Sequence, residues 1–274
     1  MKARFLSVLV ASALLSISSL HAQSIAELNR QVDSLIQVSA FDKALPLAQK
    51  AMKKAGKELN RLDSIYGNAL NNLTGVYLAR DQVSQADTLW QNQLAFIGDS
   101  LGVQHPLYGT ALYEIGQIAY IAADYNKSDS LLLVAQKLLL KTKDSKTIEQ
   151  ALIQKILGNI RHQRGQFKES MELLKQAVDI VEPQKQRYKY EYISILTSLG
   201  ATYNELGMFE DELAVYNRSA AFSEQETGTN NLSYATTLHN LAGLHEEMGH
   251  YQQADSLYQV TLQLKEKLTG KQTM

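Results

Sequence analysis

Hydrophobic positions along the chain fall at helical spacing and come in paired blocks with a single break inside each pair. In residues 234–268, Leu238, Leu241, Ala242 and His245 share one helical face before Gly249, and Ala254, Leu257, Tyr258 and Thr261 share another after it. Gly249 interrupts the pattern as a helix C-terminal glycine does. The spacing predicts a helical hairpin. The small Ala242 and Ala254 permit close approach, and Leu241, Tyr251 and Tyr258 supply apolar bulk between the helices. One hairpin leaves an apolar face uncovered, so it requires neighbours of its own kind.

Those neighbours are present at a period of forty-two residues. Positions equivalent to Leu241 are Leu199, Leu157, Ile115, Leu73 and Gln31, aliphatic at all but the first unit of the chain. The next position reads Ala242, Gly200, Gly158, Gly116, Thr74 and Val32, and ten residues after the leucine come Tyr251, Phe209, Phe167, Tyr125, Val83 and Phe41. This periodicity predicts one unit copied six times. Coarse helices follow at 25–38, 41–55, 62–80, 83–98, 106–122, 125–142, 146–164, 167–182, 187–206, 209–226, 231–248 and 251–268.

Leu238, the Leu241–Ala242 pair, Gly249, Tyr251, Ala254 and Tyr258 resemble the tetratricopeptide repeat, whose minimal unit is about 34 residues. The longer unit here, with Asn71-Asn72-Leu73 and His239-Asn240-Leu241 after Tyr-x-x-x-Leu starts, is similar to the kinesin light chain type. The resemblance runs from Gln23 onward. It implies an all-α fold, a right-handed α-solenoid of antiparallel helix hairpins, with six units at about 25–66, 67–108, 109–150, 151–192, 193–234 and 235–274. Four positions depart from the pattern: Glu212, Ser170 and Ser128 stand where Ala254 does, and Gln154 replaces a large residue. Gln31 weakens the first unit, which suits a capping repeat.

Composition changes the picture at the N-terminus. Residues 1–22 carry Lys2 and Arg4, an apolar run from Phe5 to Leu15 and a Ser-rich tail ending Leu20-His21-Ala22, the form of a secretory signal peptide cleaved after Ala22. The apolar run is short of the roughly 20 residues that span a bilayer, so no stable membrane insertion is expected after cleavage. The expected location is periplasmic or secreted, for a Gram-negative source. A net charge of -1 supplies no long-range field for nucleic acid. The absence of cysteine removes disulfides, thiol catalysis and thiolate metal sites.

Catalytic, metal and cofactor chemistry find no constellation. His245-Glu246-Glu247-Met248-Gly249-His250 spaces its histidines by five, across a helix-ending glycine, whereas a zinc-protease helix needs four. Glu210, Asp211 and Glu212 read as a solvated loop and helix start, and the run Lys185–Tyr192 as an amphipathic helix opening rather than a stacking platform for nucleic acid. No P-loop or nucleophile elbow occurs. The chain is expected to be no enzyme and to hold no cofactor.

The concave side of such an array remains, lined by the first helix of each pair. The resemblance places Asn71, Tyr113, Gln117, Tyr120, Lys155, Asn159, His162, Asn204 and His239 there as a peptide-binding groove, with Tyr113, Tyr120, Lys155, Asn159 and His162 as its central anchor. Amides can pair with an extended peptide backbone, and tyrosines add contact area at low entropic cost. Lys155 and Asn159 match the start of the carboxylate clamp of chaperone-binding tetratricopeptide domains, but Ser198 and Thr236 replace its continuation. The expected partner is a protein or peptide. Gly270 falls in register with Gly228 and Gly102, so the last unit is expected to stop within a linker. Bacterial arrays of this kind often continue into a caspase-like (CHAT) protease domain, and the alternative expectation is a sensor or regulatory N-terminal arm of a larger protein whose caspase-like protease or signalling domain lies outside this chain.

Overall fold

The computed structural model describes residues 22–141 and 147–269, and all regular structure among them is helical. Helix α1 covers 22–37, followed by α2 (Phe41–Glu58), α3 (Ser64–Ala79), α4 (Val83–Leu101), α5 (Pro106–Ile121), α6 (Tyr125–Leu139), α7 (Ile148–Gln163), α8 (Phe167–Val181), α9 (Lys189–Glu205), α10 (Phe209–Glu226), α11 (Leu232–Glu247) and α12 (Tyr251–Thr269). A single 3-10 turn, Glu182–Gln184, precedes α9, where Pro183 stops helix α8 from running on. The expected signal peptide, except for Ala22, and the expected linker from Gly270 lie outside the described residues.

Two compact units divide the chain, one up to Asp124 and one from Tyr125. In the first, α2 packs on α3, α3 on α4 and α4 on α5. In the second, each helix from α6 to α12 packs on the next, and α9 also touches α7 and α11, so three first helices lie side by side. Sequential hairpins of this kind are the tetratricopeptide-like arrangement that the periodicity predicts.

The turn after each first helix has the same local geometry. The residues closing the six turns, Ser39, Asp81, Ala123, Gly165, Gly207 and Gly249, lie forty-two apart and all have positive φ, from 55° to 77°. The amide after each reaches back to the carbonyl five residues earlier, from Ala40 to Leu35, Gln82 to Tyr77, Asp124 to Ala119, Gln166 to Arg161, Met208 to Tyr203 and His250 to His245, at 2.7–2.9 Å. This is the Schellman closure, which satisfies carbonyls that a helix end otherwise leaves orphaned. First helices start in register too. Asp63, His105, Thr147 and Asn231 cap α3, α5, α7 and α11 by accepting a backbone N–H from the first turn.

The aliphatic positions of the repeat form the core. Leu73, Ile115, Leu157, Leu199 and Leu241 are buried, and the glycines after Leu157 and Leu199 lie against the following helix. A Cβ on Gly158 would fall 2.9 Å from Leu174, and one on Gly200 only 2.3 Å from the Tyr216 ring. Leu174 and Tyr216 are equivalent positions of α8 and α10, so the larger side chain demands the tighter glycine. Two expectations need correction. Tyr251 opens α12 on its solvent side, 71% exposed, and supplies no bulk between helices. Glu212 is not a solvated loop carboxylate: on the inner face of α10 it is 2% exposed.

The basic and aromatic run before α9 is structural. Tyr192 is buried with its ring edge-on to Phe222, and Lys185 and Arg218 lie over it at 5.6 and 5.3 Å. Its hydroxyl donates to Glu182 at 2.7 Å. Tyr190, two residues earlier and on the other face, is exposed.

Candidate functional site

Unit 2 contains a cleft of about 260 Å³ where the first helices lie side by side. Helix α7 contributes His162, α9 contributes Ala201, Asn204 and Glu205, and α11 contributes His239, Asn240, Gly243, Leu244 and Glu247. Glu212 and Tyr216 from α10 and Tyr258 from α12 complete it. Small residues at Ala201 and Gly243 hold the cleft open, since a side chain there would project into it.

The floor is built on Gly200. Its missing Cβ lets the Tyr216 ring lie flat against α9, and burial pushes the Tyr216 hydroxyl far above its ordinary range. Glu212 sits one turn earlier on the same face of α10. Asn204 Nδ2 donates to Glu212 Oε2 at 3.3 Å and to Glu247 Oε2 at 2.7 Å, so one amide bridges two carboxylates. Burial pushes the Glu212 carboxyl up to about 7; the Asn204 hydrogen bond opposes that shift and the Glu247 charge adds to it.

Flat rings form the remaining wall. His239 and Tyr258 lie 5.5 Å apart, and the Tyr258 hydroxyl donates to Glu246 at 2.9 Å, which raises its pKa. His162 packs edge-on against Phe167 at 5.3 Å, and its Nε2 is buried without a hydrogen-bond partner. The cleft therefore presents acceptor oxygens and aromatic faces. Such a surface can hold a ligand side chain and orient it.

Three groove residues expected from the repeat pattern meet in this cleft: His162, Asn204 and His239. Lys155 and Asn159, also on α7, are half-buried and lie outside it. Lys155 Nζ donates to Ser194 Oγ at 2.8 Å, and burial lowers its pKa against the opposing charge of Glu191. In unit 1, Tyr113 is buried on α5 and donates to Gln117 at 2.7 Å, while Tyr120 is half-buried near the end of that helix. Asn71 is exposed at a separate pocket of about 200 Å³, lined by Leu70, Trp90, Ile97 and Leu107.

Glu212 and Tyr216 escape a groove list drawn from first helices because they come from a second helix. The available signal is the register: Glu212 breaks a position that holds Ala44, Ala86, Ser128, Ser170 and Ala254 in the other units. His245 and His250 bring their Nδ1 atoms to 3.4 Å, but among the described residues no three potential ligands converge on a metal position. No described helix is long and apolar enough to cross a membrane.

Residues 191–267 match the family described as tetratricopeptide repeat. No curated protein matches the chain. Among solved structures, the nearly identical TPR-like repeats of a chain described as a kinesin light chain from Podosopora anserina align with a TM-score of 0.59 at 20% identity, over 74% of this chain and 96% of that one. BtubC (BKLC) from P. vanneervenii aligns with a TM-score of 0.63 at 16% identity, over 90% and 94%. A Rap protein complexed with Competence and Sporulation Factor gives 0.58 at 15% identity, over 90% and 67%. At these identities the likeness establishes the fold.

Proposed function

Because the chain is a tetratricopeptide-repeat protein with kinesin light chain-like repeats, we propose that it is a non-catalytic scaffold that holds a protein or peptide segment in the unit 2 cleft. The observation that carries this reading is the convergence of His162, Asn204 and His239, from three consecutive first helices, on one open cleft. The helices hold those side chains in place before any partner arrives, so binding costs little ordering of the scaffold. The Rap protein's complex with Competence and Sporulation Factor is a precedent for this fold accepting a partner. The leader-like residues 1–22 support action outside the cytoplasm, in the periplasm or beyond.

Site-specific photo-crosslinking in the native cell tests the reading. A photoreactive residue at position 204 is expected to capture a discrete partner, and the same residue at position 175, on the exposed side of α8, is expected to capture none. Equal adducts from both positions, or none from position 204, would contradict it.

A further inference from the structure

Several carboxylates elsewhere in unit 2 have bases. Asp129 receives Arg161 at 3.1 Å and Arg164 at 2.7 Å, Glu182 pairs with Lys185 and Arg218, and Glu226 with Lys189. The cleft is different: Glu205, Glu212 and Glu247 line it, with no lysine or arginine among its lining residues. Glu212 is the anomaly. It is 2% exposed, and its hydrogen bond is a long one, 3.3 Å, from an amide that already serves Glu247 more closely.

Folding alone gives no reason for a carboxylate at this position. The equivalent residues Ala44, Ala86, Ser128, Ser170 and Ala254 are all buried with small side chains, and a buried charge lacking a cation is costly. A ligand cation would supply what is missing. It would lie between Glu212 and Glu247, against the faces of Tyr258 and His239, whose rings can attract it, while its aliphatic stem follows Leu244 and Ala201.

We propose that the unit 2 cleft receives one basic side chain, a lysine ammonium or an arginine guanidinium, projecting from an extended segment of the partner. This rests on the scaffold reading above and adds the chemistry of its anchor. Acidic side chains are rejected by the same three carboxylates. A cation drawn beside Glu212 favours the ionised carboxylate, so binding releases a proton and tightens as pH rises from about 6 to 8. The titratable groups that line the cleft with Glu212 are His162, His239, Glu205, Glu247, Tyr216 and Tyr258. Glu212→Gln isolates the carboxylate's share of that pH dependence.

A random nonapeptide library displayed on phage and selected against the full chain provides the test. Wild-type binders are expected to share one lysine or arginine. Its replacement by norleucine should weaken binding roughly tenfold or more. Glu212→Gln should cost a similar factor and flatten the pH dependence without lowering the melting temperature, and Glu247→Gln, on the exposed rim, should weaken the same peptides. Binders with no basic position, or basic binders that wild type and Glu212→Gln hold equally, would overturn the cation site and leave the scaffold reading standing. A selection that yields no binder at all would contradict both.

Discussion

A Cβ on Gly200 would fall 2.3 Å from Cε1 of Tyr216, a ring wedged between helices that cannot withdraw. Gly200→Ala is therefore expected to destabilise the protein by about 1–3 kcal/mol, read as a lower melting temperature. Gly75→Ala should do the reverse. It meets nothing within 4 Å and removes a mid-helix glycine, for a gain of about 0.5–1 kcal/mol. Glu212 ties stability to pH. Its folded pKa, about 7, lies above the ordinary 4.5, so the folded state holds a proton that the unfolded chain releases first. The stabilisation is fully present below the unfolded value and is lost as pH rises through 7, a change on the order of 2–3 kcal/mol. In Glu212→Ala, thermal denaturation between pH 5 and 8 should show that slope removed. At this scale the small residue after each core leucine was legible in the sequence. The environment of Glu212 was not, because a charged triplet at a helix start looks solvated until the register shows that its third member faces inward.

At the scale of the element, the turn is the conserved object within the chain. Six left-handed residues end six first helices, yet only Gly165, Gly207 and Gly249 suit that conformation without penalty. Ser39→Gly, Asp81→Gly and Ala123→Gly should each stabilise by about 0.5–1 kcal/mol, adding together because the turns share no side chains. Unchanged or lower melting temperatures for all three would show that the turn geometry is not as described. The caps make the complementary case. Asn231 accepts the Tyr234 amide at 2.9 Å to start α11, and Asn231→Ala should cost about 1 kcal/mol in chemical denaturation. Helix positions were legible to within a few residues because glycines and a forty-two-residue apolar register mark them. The repeated turn at Ser39, Asp81 and Ala123 was hidden, since none of those residues advertises positive φ.

Across the whole molecule, the repeat pattern carried the architecture, and the site came from what the pattern leaves over. Net charge near zero gives no field to steer a partner, so recognition must be local. A list of first-helix positions found His162, Asn204 and His239, which share one cleft, and also Tyr113, which is buried, and Lys155, which is taken up by Ser194. Periodicity tells which side of a helix faces away from the core; it does not tell which of those side chains already have a neighbour. Chemical-shift mapping of the full, isotopically labelled chain with a peptide selected against it is the most direct measurement. The expected result is perturbation concentrated at Asn204, His239, Gly243, Glu247 and the floor residues Glu212 and Tyr216. Saturable binding that perturbs the outer faces of α8 and α10 and leaves those residues unmoved would contradict the central claim that this cleft is where the protein takes its partner.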